Sequence, residues 1–406
     1  MRELKELREL TGTEEGAQRV AFTPVWKQAR DWFRAKLEEL PVTVEQDEAG
    51  NLWATLEGED PRALLLGGHL DSVPNGGWLE GCLNVLAGLE TLRRIAAQYE
   101  GSKPPFTVRL VDWADEEGAR FGMSLFGSSA FSGNLDLERC RTLKDRDGIT
   151  LGAALAEHGL SLEDAPRAAS RQENCAAYLE LHIEQGPVLE NLDLPLGVVL
   201  GTFGVERHQV RFHGQAAHSG STPMDVRRDA FLPAGKMAQE VYTITDRHGG
   251  VSTIGFCRTA PGIVTSVVED CLITLDQRHL EADGLQALLA DARAASERYA
   301  EEASVSVNWE RLWQIEPILF DDELIELCDE AIKEVAGVSH RLPSGPLHDA
   351  AEVARAGIPT VMMFVQSLRG ISHNRIEDTE EEHLELAVRA FDSLADRTLN
   401  WLAERA

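Results

Sequence analysis

Histidines, acidic residues or both occur at four places in the sequence, each shortly after an apolar run. The segments are GGHLD (67–71), DEEG (115–118), LHIEQ (181–185) and GISHN (370–374). One such segment alone is ordinary, because a histidine after a strand is usually structural and an acidic run is usually solvated. Together, imidazoles and carboxylates without thiolates indicate a catalytic zinc, manganese, cobalt or nickel site. An acidic bridging ligand would allow two ions roughly 3.5–4 Å apart.

The elements that must position these residues follow an alternating pattern. Residues 62–68 and 107–114 form short apolar runs that predict buried strands, and residues 24–40 and 83–99 have the periodicity of helices. Strands that alternate with helices predict an α/β domain with a mostly parallel sheet. In such sheets the chemistry collects beyond the carboxyl ends of the strands, where the histidine and acidic segments lie.

The middle of the chain has a different pattern. Residues 207–213 and 270–279 alternate as half-exposed strands do, and helices are predicted at about 224–243 and 283–303. Two helices and a small antiparallel sheet predict an α+β insertion, which we place at 203–314.

After the insertion the helix, loop and buried-strand pattern returns, with a strand at 359–365. The prediction is therefore a discontinuous catalytic metal-binding domain formed by residues 1–202 and 315–406. A length of 406 residues is appropriate for two domains.

Charge and composition exclude several classes of partner. The formal net charge is −29, which argues against nucleic acid and against anionic membranes. No segment approaches the ~20 apolar residues of a membrane span. The six cysteines are scattered without a CxxC motif, which predicts reduced thiols in a cytoplasmic protein.

Six longer motifs carry a resemblance to a known family. They are GGHLDSVPNGG, DEEGARFG, LHIEQGPVLE, AAHSGSTPMDVRRDA, LDQRH and GISHN. From about residue 16 to 400 the chain resembles the hydantoinase/carbamoylase branch of the M20 metallopeptidase-like amidohydrolases. The resemblance implies metal-dependent hydrolysis of a linear amide or ureido C–N bond in a small carboxylate-bearing substrate, of the N-carbamoyl-amino acid, allantoate or ureido-acid type. It also implies that the inserted domain is a lid that forms a homodimer.

The resemblance assigns roles around one or two divalent ions, zinc or else manganese, cobalt or nickel. The implied ligands are His69, Glu80, Glu117, His182 and His373. Asp71 would orient His69, and Glu116 would be the general base that takes a proton from the attacking water.

The resemblance also assigns substrate-binding residues. Arg207 and Arg278 would bind the substrate carboxylate, a task that suits the bidentate guanidinium. His218 would stabilise the developing oxyanion, reaching the site of the neighbouring subunit, and Gln185 would line the pocket. Simpler alternatives remain open: Arg278 pairs with Asp276, and His218 caps its own loop.

His348 either lines the same pocket or only holds its loop, and the sequence leaves both readings open.

Several positions depart from the family pattern. Glu80 stands where the family has a bridging aspartate, and Asn84 replaces a glycine in the next turn. Thr265 replaces an asparagine that binds substrate, and Pro346-Leu347 replaces a glycine-containing pair. These changes predict a pocket that is reshaped and less polar.

Two rival functions follow from the same residues. One is an M20-type hydrolase of N-acyl amino acids or small dipeptides. The other is a homologue that has lost catalysis and binds a small molecule, for which Glu80 is the only support.

Overall fold

A computed structural model of the chain describes residues 1–405. Its α-helices are α1 (Arg2–Thr11), α2 (Pro24–Leu37), α3 (Cys82–Gln98), α4 (Phe126–Ser132), α5 (Leu137–Thr142), α6 (Leu151–Glu157), α7 (Val188–Asn191), α8 (Phe231–His248), α9 (Ala282–Glu302), α10 (Asp322–Ala336), α11 (Asp349–Arg355) and α12 (Glu381–Glu404). Its strands are β1 (Gly12–Thr13), β2 (Gly16–Ala17), β3 (Thr43–Gln46), β4 (Leu52–Leu56), β5 (Asp60–His69), β6 (Phe106–Trp113), β7 (Cys175–Ile183), β8 (Leu196–Thr202), β9 (Gly204–His213), β10 (Val251–Ala260), β11 (Asp270–His279), β12 (Ser306–Ile315), β13 (Ile318–Leu319), β14 (Arg341–Ser344) and β15 (Thr360–Val365). Short 3-10 turns occur at Ala165–Gln172, Met224–Val226 and Leu368–Gly370.

The chain divides into two compact units. One comprises Met1–Gly201 and Phe320–Ala406, and the other comprises Thr202–Leu319. We call them the large unit and the small unit.

The large unit is built on a mostly parallel sheet, which confirms the predicted α/β class. Strands β15, β7, β5 and β6 lie side by side in this order and run parallel. Antiparallel strands flank them, β8 beside β15 and β4 beside β6. Residues Leu64, Leu65 and Leu66 of β5 are all completely buried. A strand that is covered on both faces has apolar residues at consecutive positions, which explains the apolar run from which β5 was predicted.

The predicted elements of the large unit end where the sequence indicated. Helix α2 begins at Pro24 after Thr23, whose side chain accepts a hydrogen bond from the backbone N–H of Trp26. Strand β5 ends at His69, and β6 ends two residues before Asp115. Because these strands are parallel, their carboxyl ends lie at the same edge of the sheet.

The small unit has a four-stranded antiparallel sheet in the order β10, β11, β9, β12. Helices α8 and α9 pack on one of its faces, around a core that includes Phe212, Met237, Ile273 and Leu288. This two-layer arrangement is the predicted α+β type.

The predicted helix over 224–243 was wrong at both ends. Helix α8 spans Phe231–His248, and the residues before it make backbone hydrogen bonds to other segments. The N–H of Gln215 donates to the carbonyl of Arg228, and the N–H of Ala230 donates to the carbonyl of Val268. These tertiary bonds outweigh the local helical pattern.

Across residues 1–405, every helix is too short or too polar to cross a bilayer.

Candidate metal centre and active site

One carboxylate oxygen lies between two imidazoles at the carboxyl edge of the sheet. The Oε1 atom of Glu80 is 3.2 Å from Nε2 of His69 and 3.3 Å from Nε2 of His182. His69 is the last residue of β5, His182 is the penultimate residue of β7, and Glu80 comes just before α3. Rigid strands therefore carry both histidines, and the start of a helix carries the acid.

The two histidines have ring nitrogens that are available to a cation. Their Nε2 atoms are buried and make no hydrogen bond to any described residue. Their Nδ1 atoms are held, that of His69 at 3.2 Å from the carbonyl oxygen of Asp71 and that of His182 at 2.8 Å from the carbonyl oxygen of Ile183. Such contacts fix the ring and leave Nε2 free as a ligand. Ligands 2.0–2.1 Å from a tetrahedral zinc lie about 3.3 Å apart, so the separations from Glu80 fit one shared ion.

A second group of possible ligands shares Glu80. It adds Glu117 and His373, and one ligand atom of each of the three lies within 4.8 Å of the others. The Nε2 atom of His373 is 3.4 Å from Oε2 of Glu117. The structure thus brings all five predicted ligands into two groups with Glu80 in common, and a carboxylate between two groups is the arrangement of a two-metal site.

Asp71 organises the neighbouring acidic segment. Its carboxylate oxygens accept the backbone N–H groups of Glu116 at 3.2 Å and Glu117 at 3.1 Å. Its Oδ1 atom is also 3.4 Å from Nδ1 of His69. One buried carboxylate therefore fixes the histidine of the first group and the backbone that carries the glutamate of the second.

Glu116 is beside the ligand groups but belongs to neither of them. Its Oε2 atom is 3.7 Å from Nε2 of His69. Burial raises the pKa of Glu116 to about 8, an effect that the nearby His69 opposes and Glu80 reinforces. A divalent cation close by would lower this pKa again. A buried carboxyl group with an adjustable pKa is suited to proton transfer.

Several carboxylates lie close together here, and a cation among them would reduce their mutual repulsion. Burial disfavours the charged form of His69, but the carboxylates of Glu80 and Glu116 outweigh it and hold the pKa of His69 well above its usual value. Burial likewise disfavours charged Glu80, yet His69 and His182 hold its pKa well below the usual value. Burial raises the pKa of Glu117 well above normal, with repulsion from Glu80 adding to it. Carboxylates outnumber imidazoles here, and the donor set suits a hard or borderline divalent ion.

The loops at this edge have demanding backbone conformations. Asp115, Gln185 and His373 all have positive φ angles, of 56°, 56° and 53°. Non-glycine residues with positive φ are uncommon and concentrate at functional sites. Gly81 has φ 71°, and a Cβ atom there would lie 2.6 Å from the His69 ring, so only glycine lets α3 begin this close to His69.

Two predicted pocket residues also contact the predicted metal ligands. The Nε2 atom of Gln185 donates to Oγ of Ser372 at 3.0 Å and lies 3.3 Å from Nε2 of His373. The buried ring of His348 is 4.2 Å from the ring of His182, measured between centroids.

The sequence did not single out Glu180, which precedes His182 by two residues on β7. Glu180 accepts a hydrogen bond of 2.6 Å from the hydroxyl of Tyr178, and with His182 and His348 it forms a third group able to hold a metal. The alternation of a strand, which places residues i and i+2 on one face, was the signal available for it.

Asn84, one of the departures from the family pattern, is buried against β5. Its Nδ2 atom is 3.5 Å from Oε1 of Glu180, and a Cβ atom on Gly68 would lie 2.3 Å from the Cβ of Asn84. The asparagine therefore fills space that only a glycine partner leaves open.

The predicted carboxylate-binding arginines lie in the small unit on neighbouring strands. Arg207 donates through Nε and Nη2 to Oδ2 of Asp276, at 2.8 and 2.6 Å. Arg278 donates to the other oxygen at 2.8 Å. The pairing of Arg278 with Asp276, one of the alternatives from the sequence, is therefore present, and the same acid orients both arginines.

His218 also lies in the small unit, on an exposed loop. The backbone N–H of Gly220 donates to its Nδ1 at 3.1 Å. In the neutral ring this places the proton on Nε2 and leaves Nε2–H as a donor. The next residue, Ser219, donates its N–H to the carbonyl of Thr265 at 2.9 Å, so the two predicted residues lie on adjoining segments.

Comparison with known proteins identifies relatives along almost the whole chain. The family model for Peptidase family M20/M25/M40 matches residues 65–397. The N-carbamoyl-L-amino acid amidohydrolase of Geobacillus stearothermophilus is 35% identical over 372 residues, which is 90% of each chain. The allantoate amidohydrolase of Escherichia coli K12 is 32% identical over 90% of this chain and 88% of its own.

A solved structure agrees with these sequence matches. An amidase of the hydantoinase/carbamoylase family from Burkholderia phymatum superposes with a TM-score of 0.89 at 32% identity, covering 99% of this chain and 97% of its own. The family resemblance predicted from the six motifs is confirmed, and so is the prediction of an amidohydrolase.

Proposed function

Because this chain belongs to peptidase family M20/M25/M40, we propose that it hydrolyses a ureido or carbamoyl C–N bond in a small substrate that bears a carboxylate. N-carbamoyl-amino acids and allantoate-type ureido acids are the substrate class. The observation that carries the proposal is the Glu80 carboxylate between His69 and His182, with Glu116 beside them.

The residues of the two ligand groups would hold one or two divalent ions, zinc or else manganese, cobalt or nickel. His69, Glu80 and His182 would bind one ion, and Glu80, Glu117 and His373 the other. Such ions polarise a carbonyl group and acidify water.

Glu116 is the general base in this proposal. Its side chain lies next to His69 without being part of either ligand group, so its oxygens are available to the attacking water. It takes a proton from that water as the oxygen attacks the carbonyl carbon. It then delivers the proton to the leaving nitrogen as the C–N bond breaks.

The small unit would supply substrate recognition as a lid. Arg207 and Arg278, which both donate to Asp276, bind the substrate carboxylate through paired hydrogen bonds. His218 donates its Nε2–H to the oxyanion that forms on the attacked carbonyl. Thr265 lines the pocket from the adjoining segment.

Gln185 and His348 would line the pocket from the large unit, since both contact the ligand histidines.

We also propose that the chain is a homodimer joined through the small unit, which contains the predicted insertion at 203–314. Strand β10 lies at an edge of the small sheet, and Phe256 on it is half exposed. An edge strand offers backbone groups to a second chain. Six free cysteines fit a reducing, cytoplasmic location.

A substrate panel tests the proposed reaction. Metal-loaded protein is assayed for release of ammonia or amino acid from N-carbamoyl-L-amino acids, allantoate, N-acetyl-L-amino acids and dipeptides. We expect kcat/KM for a carbamoyl or ureido substrate to exceed that for the matched N-acetyl compound by at least about tenfold, the effect of a few well-placed polar contacts. Preference for the N-acetyl compound or the dipeptide would instead favour the acyl-amino acid hydrolase.

A further inference from the structure

A buried carboxylate outside both ligand groups connects the loops that carry them. Glu377 lies in the segment between β15 and α12, four residues after His373, and is almost completely buried. Its Oε1 atom accepts the backbone N–H of Leu79 at 3.2 Å and of Glu80 at 3.0 Å. One oxygen of Glu377 thus holds the backbone of the acid shared by the two groups.

The other oxygen of Glu377 holds the segment of His373. Oε2 accepts a hydrogen bond of 3.0 Å from Oγ of Ser372, the residue before His373. Ser372 in turn accepts from Nε2 of Gln185, also at 3.0 Å. The network therefore joins segments that are almost 300 residues apart in the sequence.

Gly77 makes room for this carboxylate. A Cβ atom at position 77 would lie 2.0 Å from Oε1 of Glu377 and 2.1 Å from its Cδ. The second glycine of the NGG sequence is therefore explained by the close approach of Glu377.

The two ligand groups differ in how firmly the chain supports them. His69 and His182 are on strands of the parallel sheet, whereas His373 is on a loop, with a positive φ and a half-exposed side chain. A loop ligand needs outside support to keep its place, because ordering it costs conformational entropy. Glu377 provides this support because each of its two oxygens accepts hydrogen bonds from a different loop.

We propose that Glu377 is a positioning residue. It fixes the positions of Glu80 and His373 relative to each other, so that a second divalent ion can bind to the group of Glu80, Glu117 and His373. This inference rests on the proposed function, since it assumes that both ligand groups bind metal. It predicts that loss of Glu377 weakens the second ion while His69 and His182 keep the first.

Metal counting on the full-length protein tests the proposal. Apo-protein is titrated with Zn²⁺ or Mn²⁺ against a competing chelator, and the bound ions are measured by plasma mass spectrometry. We expect the unmodified chain to bind two ions and Glu377→Ala to bind one tightly. The affinity of the second should fall roughly 10–100-fold, the usual effect of removing a partner that orients a metal ligand.

Two further variants separate position from charge. In Glu377→Gln the amide oxygen can still accept from Leu79 and Glu80, and the amide NH₂ can donate to Ser372, so two ions should be retained. Gly77→Ala displaces the carboxylate without removing it and should reproduce the loss seen in Glu377→Ala.

Thr379→Val is the matched control. Thr379 is buried in the same segment and donates from Oγ1 to the carbonyl of Gln366 at 2.8 Å, and its side chain makes no hydrogen bond to Leu79, Glu80, Ser372 or His373 within residues 1–405. This variant should bind two ions with unchanged affinity, which shows that a buried hydrogen bond lost nearby is not sufficient.

Different results would contradict the role of Glu377 and the metal centre on which that role depends. If Glu377→Ala binds two ions as tightly as the unmodified chain, Glu377 does not position the second site. If Glu377→Gln loses the ion as Glu377→Ala does, its charge matters and its position does not. If the unmodified chain itself binds only one ion, Glu377 has no second ion to position and this inference fails, while the proposed function stands with one ion. If it binds none, the proposed function fails.

Discussion

Adjacent glutamates in the second acidic segment have different surroundings, and the difference predicts different roles. Glu117 belongs to a ligand group with His373, whereas Glu116 belongs to none. We expect Glu116→Gln to keep its metal and to lose roughly 10²–10⁴ in kcat, the range for removing a general base. Glu117→Gln is the matched comparison and should bind less metal. Metal loss in Glu116→Gln with normal metal content in Glu117→Gln would show that the roles are reversed.

At the scale of residues, the motifs located the ligands better than they located the groups that support them. The family resemblance carried by the motifs assigned His69, Glu117, His182 and His373 as ligands, and the structure places them with Glu80 in two clusters. Their roles stay predictions until metal is measured. Glu377 was not predicted because a single acid in a loop has no periodicity and because its backbone partners, Leu79 and Glu80, are distant in the sequence.

At the scale of elements, strand β9 places a histidine in the core of the small unit. His208 is completely buried against Trp309, and neither ring nitrogen has a hydrogen-bond partner among the described residues. The carboxylate of Glu206 is 3.5 Å away but is already paired with Arg311. Burial, with repulsion from Arg293 and Arg311, lowers the pKa of His208 to about 4.

This low pKa predicts acid sensitivity of the small unit. An unfolded histidine titrates near pH 6.5. Between pH 6.5 and 4 the unfolded chain therefore binds a proton that the folded chain does not, and stability falls as the pH falls. His208→Leu should reduce the loss of unfolding free energy between pH 7 and 4.5 by about 1–2 kcal/mol, after allowance for solvent screening. Denaturant unfolding at both pH values measures this, and an unchanged difference would mean that His208 titrates normally in the fold.

Helices and strands were predictable from the sequence where the local apolar pattern or a helix cap agreed with the fold. The buried runs of β5 and β6 and the proline-started helix α2 were recognisable because apolar content and capping agreed with the fold. Helix α8 was misplaced because backbone pairing of residues 228 and 230 with distant segments overrides the helical pattern. Such pairings are tertiary facts that local periodicity does not contain.

At the scale of the whole molecule, the proposed dimer with a shared site predicts complementation between inactive subunits. His218→Ala and Glu116→Gln subunits, each nearly inactive alone, are mixed under conditions of subunit exchange. If His218 acts on the partner, the mixed dimer has one site lacking both groups and one intact site, so activity returns. Proven exchange without recovery would place His218 in its own subunit's site, and a monomer by light scattering would remove the dimer.

The measurement that tests the central claim most directly is the metal dependence of hydrolysis. Protein stripped by chelator is assayed with the best carbamoyl or ureido substrate of the panel, then reloaded with Zn²⁺, Mn²⁺, Co²⁺ or Ni²⁺ and assayed again, beside His182→Ala treated in the same way. We predict that stripping abolishes turnover, that one of these ions restores it in the unmodified chain, and that His182→Ala neither regains turnover nor binds the full complement of metal. Full turnover by verified metal-free protein would contradict the account.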